Sequence, residues 1–413
     1  MIDATARNGD SQNLRVTPIH PFPARMAPSI PWENLISLDR KPLRILDPML
    51  GSGTTAVVAK SLGHIAIGFD PDPLSVLIAS TWCSDIDQPR FVVEGKQVLE
   101  KAILNEKKLN TREAYPTDCD RETKAFIRYW FDRINRRQLT SLSSEISRVQ
   151  DYSLRSCLWC AFSRMVITKS IGVSLAMDVS HSRPHKVYTQ APIKPFDAFL
   201  PSVDSVAKRL PFKTNESCRP SARIMRADAR LVPLADASID MIITSPPYLN
   251  AIDYMRAHKF TLVWMGYASG YLRKVRSGNV GAERGLDIEN YDGGVRESLS
   301  SMGEIGSLSN RTKSILARYV VDMNAVLAEM RRVLVKEGKA ILVVGDSTIH
   351  GVFVSNSNAI VSLAKKHGLQ NTHVQKRELP DHRRYLPPPS SEKAGAGLRN
   401  RIREEVIVTL VRR

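Results

Sequence analysis

No apolar stretch of this chain approaches the ~20 residues needed to span a bilayer. Residues 1–10 are polar and lack the apolar core of a secretory signal. Cysteine is scarce. Five thiols in 413 residues, an odd number, argue against a disulfide framework. Cys157-Leu158-Trp159-Cys160 has a spacing that metals use, but no second pair answers it and its surroundings are apolar, so both thiols are expected to be buried. His181 and His185 have no acidic or thiol neighbour to complete a ligand set, and no metal is expected. Acidic residues are also short, 42 against 59 Lys and Arg, which leaves a formal net charge of +17. That balance says nothing of fold but favours a polyanionic partner whose counterions Lys and Arg would displace. A cytoplasmic protein is expected.

Two short segments carry the chemistry. Leu43-Arg44-Ile45-Leu46-Asp47 reads as a buried strand, and Pro48-Met49-Leu50-Gly51-Ser52-Gly53-Thr54-Thr55 follows it into a helical run. Gly51 and Gly53 let the backbone approach a ligand, and Thr54 or Thr55 can cap the helix. The next strand ends in Asp70, about 20 residues after the turn, where a ribose diol is usually held. No Lys follows Gly53 as a phosphate loop requires, and Ala56 replaces the third glycine of a dinucleotide fingerprint. The second segment is Ser245-Pro246-Pro247-Tyr248, directly after the apolar run Ile239–Thr244. Two prolines cannot continue a ladder, so a polar group, a stiff turn and an aromatic ring stand at a strand's carboxyl end. Ligands bind at that end of open α/β sheets.

In this order, the segments resemble the S-adenosylmethionine-dependent DNA amino-methyltransferases of the cytosine-N4 and adenine-N6 type. The likeness covers about 18–85 and 222–413. It implies a Rossmann-like class I α/β sheet of about seven strands, closed by an antiparallel pair and interrupted by a helical insertion. It assigns Asp47, Gly51, Gly53, Thr54, Thr55 and Asp70 to S-adenosylmethionine. It adds Phe22, from His20-Pro21-Phe22-Pro23, over the methionine end and Asp228, from Met225-Arg226-Ala227-Asp228, against the adenine. Ser245, Pro246, Pro247 and Tyr248 become catalytic. Ser245 and the Pro246 carbonyl accept from the base amino group, and Tyr248 stacks on the flipped base. The longer run through Asn250-Ala251-Ile252-Asp253-Tyr254 matches a subgroup often of cytosine-N4 type, which makes Asp253 and Tyr254 further base-pocket candidates. Ser rather than Asp or Asn at 245 favours cytosine N4 over adenine N6. RNA methylation, or nucleic-acid binding by a degenerate methylase fold, stand behind these, and the intact glycines, Asp70 and Tyr248 oppose the last. Carbon-5 methylation needs a Pro-Cys nucleophile, which the chain lacks. Double-stranded DNA is the implied partner, with nucleoid association, a restriction–modification setting and a cognate restriction endonuclease.

The chain divides into a cofactor-binding part (1–87), a mainly helical insertion (88–221) and a catalytic part (222–413) with a Gly/Ser-rich loop at 269–310. The insertion is favoured as the target-recognition region, with helices expected over 96–109, 121–149 and 154–168. There Arg133, Arg136 and Arg137 follow Tyr129 and Trp130 by one turn and suit phosphate contact. The basic stretches 181–188 and 380–400 could reach DNA as loops. A helix over 312–336 and a strand over 340–344 complete the reading.

Overall fold

The computed structural model describes residues 16–22, 25–38, 42–110, 114–180, 184–211, 221–248, 253–282, 293–379 and 404–413. Seven strands among them form one sheet: β1 Arg44–Asp47, β2 Ile65–Phe69, β3 Ala222–Met225, β4 Ile239–Thr244, β5 Leu334–Val344, β6 Leu369–Glu378 and β7 Glu404–Arg412. Their order is β6-β7-β5-β4-β1-β2-β3. The pairs β3–β2, β2–β1, β1–β4 and β4–β5 are parallel, and β7 enters antiparallel between β5 and β6. This is the expected Rossmann-like α/β fold with its final antiparallel pair. The order reverses between β1 and β4, which makes that crevice the topological switch point.

Thirteen helices cover the sheet in the described residues: α1 Ser29–Leu35, α2 Thr54–Ser61, α3 Pro73–Trp82, α4 Gln88–Lys108, α5 Arg121–Trp130, α6 Arg133–Arg148, α7 Tyr152–Val166, α8 Pro195–Ala207, α9 Tyr254–Leu262, α10 Ser269–Gly278, α11 Gly293–Ser300, α12 Asn310–Val333 and α13 Asn356–Lys366. Alternate strand residues serve opposite faces, as the period of two requires. Ile45, Met241, Ile243 and Val343 meet α2, α3, α7 and α9 on one side. Leu46, Ile242, Leu342 and Val344 meet α12 and α13 on the other.

The insertion is helical but differently punctuated. The helix expected over 121–149 is two, because Asp132 leaves helical geometry and accepts from the Asn135 amide at 2.9 Å to start α6. Asp87, Asp120 and Asp151 cap α4, α5 and α7 in the same way. Each such cap is worth ~1 kcal/mol. The stretch 269–310 is not a loop in its described part. It holds α10, α11 and a 3-10 turn at Ile305–Ser307, because Leu272, Val295 and Met302 supply apolar anchors that Gly and Ser content hides. Helix α12 stops at Val333 and β5 begins at once at Leu334, six residues before the expected strand. In the basic stretch 181–188, His185–Lys186 pairs with Ala176–Met177 as a short hairpin. The stretch 380–400 lies outside the described residues.

Candidate active site

Strands β1 and β4 lie side by side, so the glycine turn and the Ser-Pro-Pro-Tyr turn leave the sheet together. They are also stitched. The Thr244 hydroxyl donates to Asp47 Oδ1 at 2.6 Å, and the Thr55 hydroxyl donates to the Ile243 carbonyl at 3.1 Å. All three side chains are buried. Burial pushes the Asp47 carboxyl up to about 6, against the bonds from Thr244, Thr55 and the Met49 amide.

The glycine turn has the backbone its residues suggest. Gly51 and Gly53 have φ of 52° and 90°. The helix cap expected from Thr54 or Thr55 is not made. Gly53 itself is the left-handed N-cap of α2, without a side-chain bond, because Thr55 is committed to β4 and Thr54 sits 3.4 Å from Ser52 Oγ. Asp70 stands at the end of β2 and accepts from the amides of Gly51 and Asp72, both at 2.9 Å. Phe22 is buried over Gly51, with its ring 5.1 Å from that of Tyr254 and 5.0 Å from that of His258.

On the other side, the Ser245 hydroxyl donates to the Val343 carbonyl at 3.1 Å. Pro246 is buried, and Pro247 and Tyr248 are partly exposed. The Tyr248 ring lies against Gly345 so closely that a Cβ there would come within 2.7 Å of it. Residues 249–252 of the extended motif lie outside the described residues. Asp253 precedes α9 and pairs with Arg256 at 2.8 Å and with Arg276 of α10.

Three of the expected site residues have partners within the chain. The carboxylate of Asp228 is gripped by Arg230 at 2.6 and 2.9 Å, and Arg230 also reaches Asp322 at 2.6 Å. These bonds hold the Asp228 carboxyl below its ordinary range despite burial. Asp228 still lines a recess of 320 Å³ with Pro71, Ala227, Arg230 and Asn279, but an arginine has its oxygens. Arg136 stacks on the Tyr115 ring at 5.3 Å, and its guanidinium donates to the Tyr115 hydroxyl at 2.5 Å. Arg137 pairs with Glu106 at 3.0 Å and donates to the Glu106 carbonyl, closing the end of α4. Both arginines brace the insertion, and of the three expected to meet phosphate only Arg133 is exposed. Cys157 and Cys160 are buried on α7, and burial drives both thiols up, Cys157 to about 12. Among the described residues, no group of three His, Cys, Asp or Glu could hold a metal ion.

The sequence reading missed the partners that hold these groups. Thr244 and Arg230 act only through residues they meet in the fold. Asp72 Oδ2 accepts from His258 Nδ1 at 2.5 Å across 186 positions, and no spacing rule could pair them. Asp346, two residues beyond β5, caps α13 through the Ser357 amide and hydroxyl.

No protein-family profile matches the chain. It is 25% identical over 273 residues to the type II methyltransferase M.BsoBI of Geobacillus stearothermophilus, across 60% of this chain and 51% of that protein. It is 22% identical over 397 residues to the type II methyltransferase M.MvaI of Kocuria varians, across 88% of this chain and 84% of that protein. This chain is similar to type II methyltransferases. It spans about half the length of M.BsoBI. A structure of an S-adenosylmethionine-dependent methyltransferase from Methanosarcina mazei aligns over 94% of this chain and 99% of its own, at 9% identity and a TM-score of 0.35. The fold is read from the strand order above, independently of that likeness. Among the described residues, no helix is long and apolar enough to cross a membrane.

Asp70 gives the site a pH signature. Burial and the neighbouring Asp72 push its carboxyl up to about 8, against the amides that lower it. The ordinary value is 3.8, so between about 4 and 8 the folded chain binds a proton that the unfolded chain does not. Stability therefore falls as pH rises through that window. Thermal melts from pH 5 to 9 should show this decline, and Asp70→Asn should flatten it by on the order of 2 kcal/mol, discounted because the side chain is only partly buried. A slope unchanged by the substitution would assign the decline to other groups.

Proposed function

We propose that this chain is an S-adenosylmethionine-dependent DNA methyltransferase that methylates the exocyclic N4 amino group of a flipped cytosine, in a restriction–modification setting. The observation that carries the proposal is the pairing at the switch point. The glycine turn after β1 and the Ser-Pro-Pro-Tyr turn after β4 share one crevice and are bonded through Thr244 and Asp47. The similarity to M.BsoBI and M.MvaI and the net charge of +17 support DNA as the substrate.

The residues around the crevice fit the cofactor. Two glycines at positive φ bring the backbone close, Asp70 stands where a ribose diol is held, and the recess beside Pro71 and Ala227 suits the adenine ring. Asp228 shapes that recess through its pair with Arg230. Bound there, S-adenosylmethionine supplies an electrophilic methyl on a sulfonium. Phe22 covers the turn.

A base amino group is a poor nucleophile because its lone pair is delocalised into the ring. The site must draw that lone pair out of the ring plane and aim it. The Ser245 hydroxyl donates its hydrogen bond to the Val343 carbonyl, so it has only lone pairs to offer the pocket. It is thereby committed to accepting from an amino N–H, together with the Pro246 carbonyl on the stiff diproline. Tyr248 stacks on the extruded base. Asp253, paired with Arg256 and Arg276, and Tyr254, against Phe22, are the further candidates for contact with the base. A sulfonium would leave as a neutral thioether, so no side chain need act as an acid, and the one amino proton released on methylation would pass to solvent.

The test is incubation with S-adenosylmethionine and unmethylated DNA, followed by mass spectrometry of the nucleosides. N4-methylcytosine is expected, reduced ~100-fold or more in Ser245→Ala. N6-methyladenine would keep the mechanism and overturn the base. Absence of both, with the cofactor bound, would move the substrate to RNA.

A further inference from the structure

The Asp72–His258 pair lies outside the groups assigned to the cofactor or the base, yet both side chains are buried, and it ties the two halves of the crevice together. Asp72 sits two residues beyond Asp70 and caps α3 with its other oxygen, which accepts from the Leu74 amide at 2.8 Å. His258 sits one turn along α9 from Tyr254 and stacks on it at 6.3 Å. Phe22 meets the edge of the same imidazole and lies over Gly51. The imidazole is thus the common neighbour of the ring over the cofactor turn and of the ring at the start of α9. Only one of its nitrogens has a partner among the described residues, Nδ1 on Asp72, and that bond fixes the rotation of the ring. Because Asp72 is rooted in the α3 cap, the imidazole takes its position from the cofactor side of the sheet and imposes it on α9.

We infer that His258, oriented by Asp72, is a positioning residue for the Phe22–Tyr254 wall over the glycine turn: its buried hydrogen bond to Asp72 sets the wall for cofactor binding, and its ring holds Tyr254 for alignment of the target base. This rests on the methyltransferase reading above. Neither residue touches the reacting atoms; both act through the two rings.

The experiment separates the hydrogen bond from ring packing. His258→Asn keeps an N–H near the position of Nδ1 and loses the ring. His258→Phe keeps a ring and leaves the Asp72 carboxylate buried without its donor. S-adenosylmethionine binding is read by calorimetry, with kcat and the two KM values read alongside. The unsubstituted protein should bind S-adenosylmethionine; if it does not, the methyltransferase reading itself falls and this inference with it. His258→Phe should weaken binding by ~tenfold or more. His258→Asn should stay within about threefold in binding while its kcat falls, since Tyr254 loses the ring it stacks on. Equal binding by both variants and the parent, or equal loss in both, overturns the inference, because the hydrogen bond would then not set the wall. Should His258→Phe fail to fold, Asp72→Asn replaces it. That variant keeps the shape of the cap and turns a carboxylate acceptor into an amide, and unaltered binding there overturns the inference as well.

Discussion

Replacing Tyr248 by alanine should abolish methyl transfer to DNA, by ~100-fold or more, and leave cofactor affinity unchanged. The ring is placed by covalent stiffness on one side and by close contact on the other. Pro246 and Pro247 fix the chain before it, and Gly345 leaves it room that any side chain would fill. Burial raises the Tyr319 hydroxyl of α12, and the charges of nearby Tyr248 and Asp346 would add to that rise. Removing the Tyr248 ring takes away the surface on which an extruded base would stack and alters no residue of the glycine turn. Nucleoside mass spectrometry on the treated DNA and calorimetry with S-adenosylmethionine read the two halves of the prediction. Parallel loss of binding and turnover would mean that the ring supports the fold of the crevice rather than the base.

The second large effect is expected at Gly53. Its φ of 90° is a conformation that side chains rarely adopt, and a Cβ there would stand 2.6 Å from Ala79 Cβ and 2.9 Å from Ala79 Cα. The second distance is to backbone, so the conflict can be relieved only by moving α2 away from α3. Gly53→Ala should cost ~2–4 kcal/mol in urea unfolding and weaken S-adenosylmethionine binding along with it. Gly51→Ala makes a useful contrast. Its φ is 52°, and the nearest atom a Cβ would meet is 3.8 Å away, on Phe22. Only the left-handed conformation opposes it there, at ~1 kcal/mol. Equal destabilisation by the two substitutions would show that contact with Ala79 is not what requires a glycine at 53.

The crevice was legible in the sequence because its signals are local. A buried apolar run, a sharp turn and a rigid or glycine-bearing stop can be read within ten residues, and β1, β2 and β4 end where those signals place them. What lies far apart in the chain was not legible. Asp228 was expected to hold the cofactor because nothing in the segment before it reveals that Arg230 would fold back onto its oxygens and onto Asp322. Arg136 and Arg137 read as a phosphate-binding cluster because charge is visible in a sequence and Tyr115 and Glu106, their partners, are not visibly theirs. Two errors were avoidable. Asp132, three residues before Asn135, carried a helix-cap signature inside the stretch taken as one helix. Between 269 and 310, Leu272, Val295 and Met302 carry enough apolar anchoring for short helices, which the Gly and Ser content masks.

The helices between β2 and β3 share their interior with the rest of the molecule. Leu158 and Phe162 of α7 belong to the same buried cluster as Ile78 and Trp82 of α3 and Phe260 of α9, and the Ser163 hydroxyl stands 3.1 Å from that of Thr261. The described residues therefore show no seam along which 88–221 could be lifted out as a separate unit. Exchanging residues 88–221 for those of a relative would strip the floor from under α3 and α9, and with it the Asp72–His258 link. The insertion and the crevice beside it stand or fall together, as two parts of one interior.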